Sequence, residues 1–266
     1  MFDWRGRAAV VAVGLVLVMA AGCGSSSSKS TATTTKTTSN VNGALNVFAA
    51  ASLTEAFTDE KATLAREKPD LHITYNFAGS QALVQSIQQG APADVFASAG
   101  QSNMQTLVDA GLVEKPVTFA RNTLEIAVAP GNPKHITGLA DLERAGVILV
   151  LEDPSVPAGK YALQAFASAK LPAPHAKSLE LDVKSTLAKL TLGEADAVVV
   201  YVSDVKAAGT KVQGVPIPAA QNLFASYPIA VVKASTHKAA AQAFVDEIAT
   251  GTGQEALRAR GFLPAG

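Results

Sequence analysis

Apolar and polar residues alternate along the chain in two patterns. Short, uninterrupted apolar runs are typical of strands that are buried on both faces. They lie at 45–49, 73–77, 95–97, 124–129, 147–151, 197–201 and 229–232. Between them, apolar residues three and four positions apart predict helices at 53–66, 81–89, 159–169, 184–192 and 238–248. Because strands and helices alternate, the pattern indicates an α/β fold with buried parallel strands.

The first residues of the chain depart from this alternation. Arg5 and Arg7 precede an unbroken apolar run over residues 8–21, which Gly22 and Cys23 follow. The run is shorter than the ~20 apolar residues that a membrane-spanning helix needs. Ser, Thr and Lys residues come soon after it. This pattern predicts a secretory signal peptide over residues 1–22 rather than a permanent transmembrane helix.

Cys23 is the only cysteine of the chain, so an internal disulfide is excluded. Its position after two alanines and a glycine resembles a bacterial lipobox, with Ala20 at the usual leucine position. The resemblance implies a lipid anchor on Cys23; the alternative is an ordinary signal-peptidase site that leaves a free thiol. Residues 24–42 are almost entirely Ser, Thr, Lys and Asn. Residues 23–42 are therefore predicted to form a lipid-anchored flexible linker.

The charge balance and the histidines exclude several kinds of partner. The chain has 22 Lys and Arg residues against 22 Asp and Glu residues, so it lacks the basic field that holds nucleic acid. The four histidines are scattered and do not have the spacing of metal ligands, so we expect no zinc site. They are His72, His135, His175 and His237. From residue 43 onward the chain is long enough for one large domain or two small ones.

Two serines follow predicted strands and precede predicted helices, where ligands collect in open α/β sheets. Ser52 is followed three residues later by Glu55, which is the pattern of a capping box. Ser80 follows Gly79, a residue that allows close backbone approach. A single serine in such a place is more often a helix cap than a ligand contact.

Two further junctions offer backbone donors. Residues 152–160 lead into a helix whose first turn exposes the amide of Ala158, and Asp182 is a natural N-cap before the amide of Val183. Each helix N-terminus carries unpaired N–H groups and about half a positive charge. Four converging N-termini therefore predict an anion site that needs no Arg or Lys contact.

Five segments together resemble the periplasmic molybdate-binding proteins of ABC importers. They read VFAAASLT at 47–54, GAPADVF at 90–96, DPSVPAGK at 153–160, VYVSD at 200–204 and YPIA at 227–230. They occur in the family's order, and the resemblance covers nearly all of residues 45–263. It implies a two-lobed type II periplasmic-binding fold of mixed or parallel sheets that closes by hinge motion. Lobe 1 would comprise residues 43–121 and 227–266, and lobe 2 residues 122–226.

The resemblance also implies the ligand and its contacts. Molybdate or tungstate would be held as an oxyanion, without a direct bond between protein and metal. Its donors would be neutral groups of Ser52, Ser80, Ala158, Val183 and Tyr201. The sequence leaves the choice between molybdate and tungstate open.

Charged residues near these positions are expected to act indirectly. Lys160 and Lys184 are interpreted as solvated charges at the rim that steer an anion. Asp94 and Asp182 are interpreted as capping or structural acceptors, because a carboxylate repels a dianion.

The implied partners are the permease of an ABC importer and, through Cys23, the cell membrane on its extracytoplasmic side, with no cofactor. A carrier of another tetrahedral oxyanion, such as sulfate or phosphate, is the alternative. A hydrolase with Ser52 as its nucleophile is disfavoured. Ser52 lacks a nucleophile-elbow motif, and none of the four junctions contains a histidine to activate it.

Overall fold

The computed structural model describes residues 43–266. The strands are β1 (Gly43–Ala50), β2 (Leu71–Ala78), β3 (Val95–Ala97), β4 (Val117–Asn122), β5 (Leu124–Val128), β6 (Leu149–Glu152), β7 (Ser178–Glu180), β8 (Ala197–Tyr201), β9 (Gln213–Pro216) and β10 (Ala225–Val231). The α-helices are α1 (Thr54–Glu67), α2 (Ser80–Gln88), α3 (Gln101–Asp109), α4 (Pro157–Ser168), α5 (Val183–Thr191), α6 (Val202–Ala208), α7 (Lys238–Thr250) and α8 (Gly253–Ala259). The predicted signal peptide, Cys23 and the linker lie outside the described residues. None of the helices from residue 43 onward combines the length and the apolar character that a bilayer-spanning segment needs.

The first sheet has the strand order β2-β1-β3-β10-β4. β1 runs parallel to β2 and β3, whereas β10 runs antiparallel to β3 and β4. Neighbouring residues of β1 point to opposite faces, so Val47 and Phe48 belong to two separate apolar clusters. Phe57 of α1 and Phe244 of α7 pack edge to face in the first cluster, with ring centroids 6.0 Å apart. Met104 of α3 lies in the second. Helices thus cover both faces of this sheet.

The second sheet has the strand order β7-β6-β8-β5-β9. β6 is parallel to β7 and β8, and β5 is antiparallel to β8 and β9. Every residue of the central strand β8 is buried, which is typical of a strand covered on both faces. Helices α4, α5 and α6 contact this sheet.

The chain passes between the two sheets twice. β4 ends in the first sheet at Asn122, and β5 begins in the second at Leu124. The return runs from Pro216 at the end of β9 to Ala225 at the start of β10. At the first crossing, the buried Asn122 side chain donates a hydrogen bond from Nδ2 to Ser203 Oγ of α6, over 2.9 Å. The second sheet is therefore built from one continuous stretch of chain, whereas the first sheet is completed by β10 after the chain returns.

The α/β class predicted from the pattern is confirmed, but the expectation of parallel strands is wrong for β5 and β10. A continuous apolar run reports burial on both faces, and an antiparallel strand buried on both faces shows the same run. Both sheets are consequently mixed, as the resemblance implied.

Candidate functional site

The 3-10 turn before α1 and the N-terminal ends of α2, α4 and α5 meet at one small cavity between the two sheets. Its lining is Ala50, Ala51, Ser52, Gly79, Ser80, Ala99, Val156, Pro157, Ala158, Asp182, Val183 and Tyr201. The empty space within this lining is about 220 Å³, and that figure includes open solvent at the mouth. The structure brings all five predicted donor residues to this cavity. Its size suits a small ion.

Ser52 contributes a buried hydroxyl from the first sheet's side. It lies in the 3-10 turn Ala51–Leu53 at the end of β1, and its Oγ is 3.0 Å from the Tyr227 hydroxyl. The predicted capping box of Ser52 and Glu55 is wrong, because α1 begins at Thr54, with Leu53 as N-cap and no side-chain capping bond. The 3-10 turn moves Ser52 away from the N-cap position and into the cavity wall.

Ser80 is the first residue of α2, and its Oγ accepts a hydrogen bond from the Ala99 amide over 3.1 Å. The N-cap is Gly79. A side chain at Gly79 would collide with the carbonyl oxygen of Leu181. A glycine here therefore lets the two sides of the cavity approach each other closely.

On the second sheet's side, α4 begins with Pro157, which has no N–H to donate. The first donor of this helix is therefore the amide of Ala158, a fully buried residue of the cavity wall. Gly159 follows, and a Cβ there would collide with the carbonyl oxygens of Glu152 and Asp153. The close approach of this turn to the end of β6 fixes where the Ala158 amide lies.

Asp182 caps α5, as the sequence predicts, and one carboxylate oxygen accepts from the amides of Lys184 and Ser185 at 2.8 and 2.9 Å. The first four N–H groups of a helix have no partner within the helix. The cap occupies two of them in α5. The amide of Val183, which also lines the cavity, is not among the two that Asp182 holds.

Tyr201 ends β8 and is fully buried. Its hydroxyl donates to the Ala99 carbonyl over 3.4 Å, which is long for a hydrogen bond and leaves the group able to turn toward a ligand. Its ring packs edge to face on Tyr227, at 5.7 Å between centroids. Burial raises the pKa of both tyrosine hydroxyls well above their usual range. They therefore remain protonated donors at neutral pH.

No lysine among residues 43–266 lines the cavity. The expectation that Lys184 is a solvated rim charge is wrong. Its Nζ lies 2.7 Å from Glu55 Oε2 and 3.1 Å from Asp204 Oδ1. Burial raises the pKa of Asp204 to about 6, although Lys184 opposes that shift. Lys160, in contrast, is exposed.

Glu152 is a buried acid at the end of β6, behind the cavity wall. Its side chain is 2% exposed, and neither carboxylate oxygen has a hydrogen-bond partner among the described residues. Burial raises the pKa of Glu152 to about 8. The group is therefore mostly protonated at neutral pH.

A serine, a histidine and an aspartate also meet outside the cavity, at the start of α7. Ser235 Oγ donates to Asp94 Oδ1 over 2.6 Å, and His237 Nδ1 lies 3.2 Å from the same oxygen. The serine hydroxyl thus pairs with the carboxylate and not with the imidazole, so the three groups lack the order of a Ser-His-Asp triad, in which the imidazole takes the serine proton. Asp94 also accepts from the Asn46 amide over 2.8 Å, which makes it a structural acceptor. Residues 43–266 contain no group of three or more His, Cys, Asp or Glu side chains placed to hold a metal ion.

Sequence reasoning missed three contacts around the cavity. They are the hydrogen bond between the Ser52 and Tyr227 hydroxyls, the ion pair of Lys184 with Glu55, and the hydrogen bond from Gln81 to the Leu181 carbonyl. Tyr227 lies in the YPIA segment, whose match to a known motif marked the position without indicating its partner.

Comparisons with known proteins agree on the class of molecule. Residues 45–263 match the family model described as bacterial extracellular solute-binding protein. The molybdate-binding protein ModA of Mycobacterium tuberculosis H37Rv is 41% identical over 217 residues, which cover 81% of this chain and 83% of that protein. A solved periplasmic molybdate-binding protein from Azotobacter vinelandii superposes with a TM-score of 0.72 at 18% identity, over 82% of this chain and 98% of that one. The sulfate-binding protein SubI of Mycobacterium tuberculosis H37Rv superposes with a TM-score of 0.75 at 21% identity, over 84% and 87%. Proteins named for two different oxyanions thus share this two-lobed fold.

Proposed function

Since this chain belongs to the family of bacterial extracellular solute-binding proteins, we propose that it captures molybdate or tungstate and delivers it to the permease of an ABC importer. One observation carries the proposal: the turn before α1, the N-termini of α2, α4 and α5 and three buried hydroxyl groups converge on a cavity whose one charged lining residue in the described part of the chain is the capping Asp182. Such a site compensates a dianion through N–H and O–H groups alone. The 41% identity to a protein named for molybdate supports the choice of anion.

The proposed contacts are the hydroxyl groups of Ser52, Ser80 and Tyr201 and the amides of Ala158 and Val183. Two facts support this set: all five residues line the cavity, and four of them stand in the first turns of helices or in the turn before one. The metal would stay enclosed in its four oxygens, so the protein binds it without a metal–protein bond. The anion is the transported ligand, and the proposal includes no cofactor.

The two lobes are proposed to be residues 43–121 with 227–266, and residues 122–226. Sheet membership supports this division, because β1 to β4 and β10 form one sheet and β5 to β9 form the other. β10 begins at Ala225, two residues before the proposed boundary, and pairs with β4 of the first sheet from that residue onward.

Elemental analysis tests the choice of ligand. The mature chain, residues 23–266, is incubated with equal concentrations of molybdate, tungstate, sulfate and phosphate, desalted and measured for bound molybdenum, tungsten, sulfur and phosphorus. We expect about one molybdenum or tungsten atom per chain. Bound sulfur or phosphorus instead would favour the alternative carrier of another tetrahedral oxyanion. Because the cysteine and methionine sulfur of the protein adds a background, sulfate is also followed as radiolabel.

The proposed role is that of a carrier and not of an enzyme. The Ser52 hydroxyl pairs with a tyrosine and not with a base, so it is not activated as a nucleophile. We expect the carrier to release molybdate unchanged, and turnover of ester or phosphoester substrates that is lost in Ser52→Ala would contradict this.

A lipid anchor on Cys23 is proposed to hold the carrier at the outer face of the cell membrane. The support is the apolar run that ends in Ala-Ala-Gly-Cys and the polar linker behind it. Dual-chain lipidation gives stable attachment. We expect the wild type to enter the detergent phase on Triton X-114 partitioning and Cys23→Ser to stay in the aqueous phase. An aqueous wild type would leave the signal peptide as an ordinary secretion signal.

A further inference from the structure

One lysine joins the two sides of the cavity. Lys184 is the second residue of α5, directly after Val183, and its Nζ lies 2.9 and 2.7 Å from the two carboxylate oxygens of Glu55. Glu55 is in the first turn of α1, three residues after Ser52. The ion pair therefore connects the first turns of two helices that present donors from opposite lobes.

The ammonium group is anchored within its own lobe by a second acid. Lys184 Nζ is 3.1 Å from Asp204 Oδ1 of α6, and the Asp204 side chain is fully buried. The side chains of Lys184 and Glu55 are 30% and 32% exposed, so water can reach the ion pair that crosses between the lobes. Asp204 holds Lys184 in position whether or not Glu55 is in contact with it.

A second contact crosses the cleft on another side of the cavity. Gln81 Nε2, in the residue after Ser80, donates to the Leu181 carbonyl over 2.8 Å. Leu181 precedes the α5 cap Asp182, so this bond and the Lys184 bridge both tie α5 to the first lobe. Both contacts form only when the two lobes are close together.

We propose that Lys184 and Glu55 form a latch that holds the two lobes closed over the bound oxyanion and sets the rate at which it is released. This proposal rests on the proposed function. Lys184 acts as a positioning residue, because its ammonium group forms ion pairs with Glu55 and Asp204 and does not contact the ligand. The latch stabilises the closed arrangement, in which the Val183 amide and Ser52 lie on the same cavity.

The direction in which Glu55→Gln changes the release rate distinguishes a latch from general electrostatics. Glu55→Gln removes a negative charge close to the path of a dianion, so electrostatics alone predicts faster association and an unchanged or slower release. A latch predicts faster release, because the closed arrangement loses its cross-lobe ion pair. Glu55→Gln is preferred to Lys184→Met, which would leave Asp204 buried without its cation.

The experiment follows tyrosine fluorescence in a stopped-flow instrument, with the mature chain, which lacks the single tryptophan, Trp4. Molybdate at rising concentrations gives the association rate constant, and displacement gives the dissociation rate constant. We expect Glu55→Gln to release molybdate about three- to tenfold faster, with association changed less than about twofold. Lys184→Arg, which retains a cation in reach of both acids, should release it at close to the wild-type rate.

Glu194→Gln is the matched control, because Lys189 and Glu194 form a pair with the same 2.7 Å separation within the second lobe. Its release rate should equal that of the wild type. Unchanged or slower release from Glu55→Gln, or equal acceleration in Glu194→Gln, would overturn the latch and leave the proposed function standing. A wild type that gives no molybdate signal and no bound metal would overturn the proposed function and the latch with it.

Discussion

Two buried residues with hydroxyl groups line the cavity from different sheets, Ser52 after β1 and Tyr201 at the end of β8. A hydrogen bond to a charged group contributes about 1.5–3 kcal/mol. We therefore expect Ser52→Ala and Tyr201→Phe each to weaken molybdate binding by about that amount in calorimetry. Folding should survive both changes, since Ser52 does not cap α1 and Ser52→Ala loses one hydrogen bond, of about 1 kcal/mol, to Tyr227.

Tyr75→Phe provides the control for Tyr201→Phe. The Tyr75 hydroxyl is buried without a hydrogen-bond partner among the described residues, and Tyr75 does not line the cavity. Its removal should leave the affinity for molybdate unchanged. Titration curves that stay the same for Ser52→Ala and Tyr201→Phe would show that the anion binds elsewhere.

The buried acid Glu152 links stability to pH. Its folded-state pKa is about 8, against 4.5 for an exposed glutamate, so the native state retains a proton that the unfolded state releases. Between about pH 5 and pH 8 the stability of the wild type therefore falls as the pH rises. Glu152→Gln cannot ionise and should remove this loss. We expect it to be more stable than the wild type by roughly 2 kcal/mol at about pH 8, or about 4–8 °C in Tm, with little gain at about pH 5.

Thermal unfolding of both proteins at the two pH values measures this difference. Asp204 contributes its own pH dependence to both proteins, so the comparison removes that dependence except for the repulsion between Asp204 and an ionised Glu152. Glu194→Gln, at an exposed acid, should show no gain that grows with pH. An equal gain for Glu152→Gln at both pH values would mean that packing and not ionisation causes it.

Residue roles could be predicted from the sequence where they depend on neighbours along the chain. The Asp182 cap and the cavity position of Val183 belong to this class. The bond between Ser52 and Tyr227 joins residues 175 positions apart, and the Lys184–Glu55 pair joins residues 129 apart. Such contacts depend on the strand order of the sheets, which local patterns do not specify.

Helix α4 presents the Ala158 amide only because its first turn packs against the end of β6. A Cβ at Gly159 would collide with two carbonyl oxygens there. We expect Gly159→Ala to displace this turn and to weaken molybdate binding by roughly 2 kcal/mol or more in calorimetry, the scale of a lost hydrogen bond to an anion. Gly138→Ala is the control, since its backbone is extended and open space surrounds the site. Full affinity in Gly159→Ala would show that α4 does not supply a donor.

Strands and helices differ in how clearly the apolar pattern of the sequence predicts them. The three strands that the pattern missed, β4, β7 and β9, are all at sheet edges. Edge strands are partly solvated, so they lack the continuous apolar run of a central strand. The missed helices α6 and α8 have seven residues each, too few turns to show a clear apolar stripe. The missed helix α3 has nine residues, as the predicted α2 and α5 do, but buries only Met104 and Leu107. Of the helices at the cavity, α1 and α4 follow the central strands β1 and β6, whereas α2 and α5 follow the edge strands β2 and β7.

In the whole molecule, the cavity lies between lobes that are joined by two chain crossings, so closure brings a fixed set of donors around the anion. The donors proposed for the ligand are N–H and O–H groups, and the lining carboxylate of Asp182 is occupied by the amides of α5. Monohydrogen phosphate carries an O–H that needs an acceptor. A buried donor without one costs about 1–3 kcal/mol, so phosphate should bind poorly.

Sulfate is a proton-free dianion at neutral pH, so it needs no acceptor from the protein. A sulfate-binding protein also shares this fold. Its bonds to oxygen are shorter than those of molybdate, so some donors of a cleft that closes around the larger anion are out of reach. Each hydrogen bond to the charged ligand that is lost weakens binding by roughly 1.5–3 kcal/mol. Tungstate matches molybdate in size and charge, and helix N-termini have no means of separating the two. We therefore expect comparable, tight binding of molybdate and tungstate and much weaker binding of sulfate and phosphate, in calorimetry at one fixed ionic strength. Equal affinity for sulfate would contradict the molybdate assignment and would leave the two-lobed oxyanion carrier intact.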